Sequence, residues 1–91
     1  MIEIYGIPKE VYNCWGCRGA VKLLEDLGLP YTFKPVFVPA DNELDFAIDR
    51  ATIEELAGRM GKRSLSIGYP QIFIDNVHIG GYKELREYYD Q

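Results

Sequence analysis

The run Cys14-Trp15-Gly16-Cys17-Arg18-Gly19-Ala20-Val21-Lys22-Leu23-Leu24-Glu25-Asp26-Leu27-Gly28 decides how the rest of the chain is read. Cys17, Ala20, Val21, Leu24 and Leu27 recur at steps of three and four, with Arg18, Lys22, Glu25 and Asp26 between them. That is the pattern of a helix with one core face and one solvent face. Gly28 and then Pro30 supply the stop, so the helix is expected from about Trp15 to Leu27, with Cys14 at its N-terminal end. Unpaired N–H groups and the helix dipole favour negative charge there, hence thiolate over thiol. Thiols so placed, or in Cys-X-X-Cys pairs, titrate at roughly 3.5–7.5 against about 8.5 for free cysteine. Cys14 is thus the expected nucleophile. Cys17, one turn on, is placed to resolve a mixed disulfide formed at Cys14, the chemistry of a dithiol oxidoreductase.

Working outward, 91 residues with 47% hydrophobic content and no low-complexity tract predict one compact domain over residues 1–91. Apolar runs fall far short of the roughly 20 residues of a membrane span, and Met1-Ile2-Glu3 opens like a strand and not like a leader. A cytoplasmic location and no membrane partner are expected. Cys14 and Cys17 are the only cysteines and close almost no loop, so the pair reads as catalytic or metal-binding before structural. A zinc site wants four ligands, and His78 is the only histidine, so no metal is expected. A net charge of −4 argues against nucleic acid as partner. Lys62-Arg63, with Arg59 nearby, is the one basic cluster and a candidate anion contact.

Along the chain, Ile2-Glu3-Ile4-Tyr5 predicts a short central strand ending at Gly6. A loop with Pro8 and Tyr12 leads to the cysteines, the place where ligands bind in open α/β sheets. Tyr31 to Val38 predicts an edge strand, since Pro35 cannot donate to a ladder, parallel to the first. Asp41 to Ile48 reads as a loop or short helical turn with Phe46 inward, and Thr52-Ile53-Glu54-Glu55 as a capping box that opens a helix ending at Gly61. Gln71–Ile74 and Val77–Ile79 flank Asp75-Asn76 as an antiparallel hairpin. Gly80-Gly81 breaks the strand, and Tyr82, Leu85 and Tyr89 mark a last helix. His78, between Val77 and Ile79, reads as outward or structurally satisfied. The order is β-α-β-α-β-β-α, an α/β fold with a four-stranded mixed sheet flanked by three helices.

Three blocks in order, Ile4-Tyr5-Gly6 with Cys14-Trp15-Gly16-Cys17, Tyr69-Pro70-Gln71-Ile72-Phe73-Ile74, and His78-Ile79-Gly80-Gly81-Tyr82-Lys83-Glu84-Leu85, resemble the thioredoxin-like fold and within it the glutaredoxin family. The long loop before Cys14, the extended middle segment and the ending Leu85-Arg86-Glu87-Tyr88-Tyr89 look most like bacteriophage glutaredoxins. The resemblance implies glutathione as co-substrate, disulfide-bearing proteins as partners, ribonucleotide reductase among them, and the host cytoplasm as location. It implies a cis Tyr69-Pro70 bond, with the Tyr69 backbone beside the molecule linked to Cys14, and close approach of glutathione to Gly80-Gly81. Tyr12 and Trp15 flank the nucleophile as a candidate substrate collar, with Tyr69, Pro70 and Tyr82 completing the expected binding set. The chain departs from the family's usual pattern at Trp15-Gly16, where a proline is customary, at Gly68-Tyr69-Pro70 in place of Thr-Val-Pro, and at Lys83 in place of an aspartate. Two alternatives stand beside the oxidoreductase: a carrier of a [2Fe–2S] cluster held with glutathione between two protomers, and a thioredoxin-like protein not fed by glutathione. A monomer is expected for the oxidoreductase.

Overall fold

The main apolar runs of the sequence pack on the two faces of a central sheet. The computed structural model describes residues 1–90. It contains β1 (Ile2–Gly6), α1 (Trp15–Asp26), β2 (Thr32–Pro35), β3 (Phe37–Pro39), β4 (Phe46–Ile48), α2 (Arg50–Met60), β5 (Gln71–Ile74), β6 (Val77–Gly80) and α3 (Tyr82–Tyr89). The main sheet has four strands in the order β2-β1-β5-β6, with β2 parallel to β1 and the other pairs antiparallel. This is the expected α/β architecture, with β1 inside the sheet and the Pro35 strand at its edge.

Alternation along β1 divides the core in two. Ile2 and Ile4 point to one face, where Ala20 and Leu24 of α1, Leu85 of α3, and Ile72 and Ile74 close over them. Tyr5 points to the other face and meets Val36, Phe73, and Ile53 and Leu56 of α2. So α1 and α3 share one layer and α2 forms the other. Leu27 differs from its expected core position: it is the C-cap of α1 and lies exposed, with Gly28 in the left-handed region behind it (φ 69°).

The middle of the chain corrects three expectations. The strand expected from Tyr31 to Val38 is broken at Val36, whose N–H donates to the Gly6 carbonyl at 2.9 Å, and beyond it β3 turns away. Asp41 to Ile48 is neither a plain loop nor a helical turn. Asn42 folds it by accepting from Leu44 N–H and donating to the Phe46 carbonyl, both at 2.9 Å. Asp45 takes a positive φ of 64°, and β4 then pairs antiparallel to β3 as a separate two-stranded ribbon. Phe46 packs on Phe37 of that ribbon, not in the main core. Finally, α2 starts earlier than Thr52: Asp49 is its N-cap and accepts from Thr52 N–H at 3.2 Å. Carboxylates cap as well as hydroxyls do, and Asp49 comes first in the chain. The helix ends at Gly61 in the left-handed conformation, as its glycine predicts.

The hairpin forms as expected, with Asp75 and Asn76 both at positive φ, the geometry a two-residue turn between twisted strands demands. Arg59 does not join Lys62 and Arg63. Its guanidinium clasps both oxygens of buried Glu3 at 3.0 Å, donates to the Tyr5 hydroxyl at 2.8 Å and lies 3.9 Å above the Phe73 ring. Lys34 adds contacts at 3.1 Å to Glu3 and 3.0 Å to Glu55, which also accepts from the Tyr5 hydroxyl. The cluster ties α2 to the sheet.

Candidate active site

The redox pair sits where β1 gives way to α1. Cys14 is the N-cap, its backbone extended and its Sγ accepting from Cys17 N–H at 3.3 Å, while its carbonyl takes the first helical bond from Arg18 N–H at 3.0 Å. Cys14 and Cys17 are joined as a disulfide with Cα atoms 5.2 Å apart. The two sulfurs differ in surroundings. Cys17 is 1% exposed and receives Ile7 N–H at 3.4 Å, whereas Cys14 keeps 8% exposure at the helix end. Just upstream, the Arg18 guanidinium donates to Asn13 Oδ1 at 2.9 Å, and the Tyr12 carbonyl accepts from Cys14 N–H at 2.9 Å, which fixes the loop against the helix it feeds.

Pro70 is buried and lies directly on the tetrapeptide: a Cβ built on Gly16 would stand 2.9 Å from Pro70 Cδ. The Tyr69-Pro70 bond is cis. Among the described residues neither the N–H nor the carbonyl of Tyr69 has a hydrogen-bond partner, while its ring is half-buried. Burial raises the Tyr69 phenol above its ordinary range. On the far side of Pro70, a Cβ at Gly81 would lie 3.4 Å from the Pro70 carbonyl oxygen. Gly81 thus reaches the cysteines through one residue.

Two exposed aromatics frame the centre. Trp15 (74% exposed) meets the Tyr82 ring edge to face at 5.4 Å, and Tyr12 is 66% exposed. The Tyr82 ring is seated on α1 at Gly19, where a Cβ would come within 2.9 to 3.1 Å of three ring carbons. Beside Trp15, Cys17, Arg18 and Tyr82 opens a cleft of about 840 Å³, lined also by Ile7, Pro8 and Phe33.

The structure therefore gathers Cys14, Cys17, Trp15, Pro70, Gly81 and Tyr82 around one helix end, with Tyr69 and Gly80 next to them in sequence. Lys62 instead donates to the Ser66 carbonyl at 3.4 Å in its own loop, and Arg63 is exposed there. His78 pairs with Gln71 Oε1 at 2.7 Å, a satisfied surface histidine. The sequence reading missed Gly19 and Glu84. Glu84 Oε1 accepts from Gly81 N–H at 2.8 Å, so a carboxylate stands beside the double glycine one position after Lys83. Its signal was present, since a Glu three residues past a helix-starting Gly is half of a capping box.

A disulfide-forming Cys-X-X-Cys at a helix N-terminus, covered by an X-Pro turn on a β2-β1-β5-β6 mixed sheet, defines a dithiol–disulfide protein of the thioredoxin-like fold. The comparisons narrow the class. The chain is 31% identical to the glutaredoxin of Enterobacteria phage T4 over 98% of its own length and 99% of the relative's. It is 43% identical to an uncharacterised 11.8 kDa protein of the same phage from the Gp55-nrdG intergenic region, over 94% of this chain and 81% of that one. Reduced Escherichia coli glutaredoxin matches with a TM-score of 0.64 at 27% identity, over 98% of this chain and 92% of that one. A buckwheat glutaredoxin–glutathione complex matches the fold with a TM-score of 0.63 at 21% identity, over 98% and 67%. No protein-family model matches. The chain belongs to the glutaredoxin family and is a glutaredoxin-type thiol–disulfide oxidoreductase.

Proposed function

We propose that Cys14 is the attacking thiol, Cys17 the resolving thiol and glutathione the reductant, with disulfide-bearing proteins as substrates in a reducing cytoplasm. In the reduced protein, the Cys14 thiolate attacks a substrate disulfide, forms a mixed disulfide and expels one substrate thiolate. Cys17 then attacks Cys14 Sγ, releasing the second thiolate and closing the Cys14–Cys17 bond. Two glutathione molecules reopen that bond and leave as glutathione disulfide, so the two electrons given to the substrate are replaced.

The observation that carries the assignment of roles is the asymmetry of the pair. Cys14 caps the helix with Cys17 N–H aimed at its sulfur and keeps 8% exposure, while Cys17, at 1%, lies behind it. A capping thiolate is favoured by that N–H and by the helix dipole. Glutathione as reductant is supported by the buckwheat relative's complex and by the approach of Gly81 to Pro70, with Tyr12, Trp15, Tyr69, Pro70, Gly80, Gly81 and Tyr82 as its contact set. The likeness to phage glutaredoxins supports ribonucleotide reductase as one protein substrate.

The test is NADPH consumption with glutathione, glutathione reductase and a disulfide substrate. Cys14→Ser is expected to abolish turnover of every substrate. Cys17→Ser is expected to lose protein-disulfide reduction while keeping reduction of glutathione mixed disulfides. Activity surviving in Cys14→Ser would refute the assignment of roles. Turnover with dithiothreitol but none with glutathione would remove glutathione from the reading and leave the dithiol chemistry.

A further inference from the structure

The redox chemistry above does not use the β3–β4 ribbon, yet the ribbon touches the site. Phe37 of β3 meets the Tyr69 ring edge to face, with centroids 6.3 Å apart and planes at 70°. Behind it, Phe46 of β4 packs on Phe37 at 5.3 Å. The ribbon is rooted at both ends: Val36 N–H donates to the Gly6 carbonyl at 2.9 Å, and Asp49 N–H donates back to the Val36 carbonyl at 2.8 Å. Contact therefore runs from Phe46 through Phe37 and Tyr69 to Pro70, and from Pro70 to Gly16 between the cysteines.

Tyr69 is held by its side chain, while its backbone N–H and carbonyl have no partner among the described residues. Unpaired main-chain groups next to a disulfide are suited to pairing with an extended polypeptide. A disulfide without peptide groups, such as 2-hydroxyethyl disulfide, has no main chain to offer them. We propose that Phe37 is a positioning residue for protein substrates: its ring fixes Tyr69, and so the free Tyr69 backbone, in the place where the main chain of a disulfide-bearing polypeptide pairs. The proposal rests on the exchange reaction argued above, and it assigns the ribbon to favouring polypeptide disulfides over disulfides that have no main chain.

The test is single-turnover oxidation of the reduced protein by insulin and by 2-hydroxyethyl disulfide, followed by the fluorescence of Trp15, the only tryptophan of the chain. No glutathione is present, so the identity of the reductant does not enter. The quantity read is the quotient of the two second-order rate constants, insulin over small disulfide. Phe37→Leu keeps apolar bulk but removes the aromatic contact, and the quotient is expected to fall about threefold to tenfold, the range of one lost edge-to-face pair. Phe37→Tyr restores the ring and is expected to bring the quotient back to within about twofold of the unsubstituted protein, on the same edge-to-face scale. A quotient that Phe37→Leu leaves unchanged, or equal slowing toward both disulfides, would overturn the proposal, since a purely structural role slows both alike. Failure of the unsubstituted protein to react with either disulfide would overturn the exchange reaction itself, and the proposal with it.

Discussion

Gly16 and Gly58 are both helical glycines, and replacing each with alanine is expected to move stability in opposite directions. In a helix interior alanine is favoured over glycine by about 1 kcal/mol. At Gly58 of α2 a Cβ would find no other atom within 4 Å, so that gain should appear almost undiminished. At Gly16 of α1 the same Cβ would stand 2.9 Å from Pro70 Cδ and 3.6 Å from Tyr82 Cβ. The proline ring is rigid and buried, with β5 starting at the next residue, so it cannot swing aside as the tip of a long side chain would. Overpacking of this kind costs about 1–3 kcal/mol. Gly16 is the second residue of α1, where the propensity gain is at most about 1 kcal/mol, so Gly16→Ala should lose about 0–3 kcal/mol, leaving a gap between the two variants of about 1–4 kcal/mol. For a domain of this size each kcal/mol is worth about 4–8 °C, so the variants should melt at least about 4 °C apart. The assay is thermal unfolding of the oxidised proteins followed by far-ultraviolet circular dichroism, with the rate of protein-disulfide reduction measured in parallel. That rate should fall for Gly16→Ala, because Pro70 is displaced from the tetrapeptide. A Gly16→Ala protein that melts at or above Gly58→Ala with an undiminished rate would refute the claim that Pro70 packs on the redox turn.

The Glu3 carboxyl is held below its ordinary range chiefly by hydrogen bonds from Arg59, then by Lys34, against the opposing effect of burial. A lowered folded-state value means that this stability is complete above the unfolded-state pKa, about 4.3, and is lost as pH falls through the folded value. Arg59→Met is expected to cost about 2–3 kcal/mol at neutral pH, less than the usual loss for half of a buried pair because Lys34 remains 3.1 Å from Glu3. Its urea midpoint should also fall less steeply below pH 4.5 than that of the unsubstituted protein, and parallel pH profiles would count against the pairing. At Gly19 of α1, alanine would drive into the Tyr82 ring, whose nearest carbon would lie 2.9 Å from the new Cβ. Since Tyr82 supports Trp15, Gly19→Ala should shift the emission maximum and quenching of Trp15, and an unchanged spectrum would refute that coupling.

The fold was legible wherever one stretch of sequence carried both its period and its punctuation. Residues 15–28 had an apolar stripe and a glycine stop, and residues 71–80 had two apolar runs around Asp75-Asn76. The ribbon was not legible for a physical reason. Phe37-Val38 and Phe46-Ala47-Ile48 are too short to show alternation, and the turn between them depends on the Asn42 side chain serving both Leu44 and Phe46. Only the pairing of the two segments tells such a turn from an ordinary polar loop. Likewise, Arg59 read as a surface charge near Lys62 because charge has no period. Its partner, Glu3, lies 56 positions away, and only the packing of α2 on β1 brings them together.

At the site, the cysteines were legible because their chemistry depends on spacing within one helical turn, which the sequence states directly. The supporting glycines were not, because the reason for a glycine lies in whatever comes close to it. Gly6 leaves room for Cys17 Sγ, Gly16 for Pro70 and Gly19 for Tyr82, each at 2.9 Å from where a Cβ would be. These three neighbours are the buried sulfur, the residue over the tetrapeptide and the support of Trp15. The absence of side chains along Gly6, Gly16 and Gly19 is therefore what lets residues from three distant parts of the chain converge on one helix end. Of these, only Gly16 lies within the Cys-X-X-Cys motif, so a search for that motif alone would leave two of the three contact points free to change.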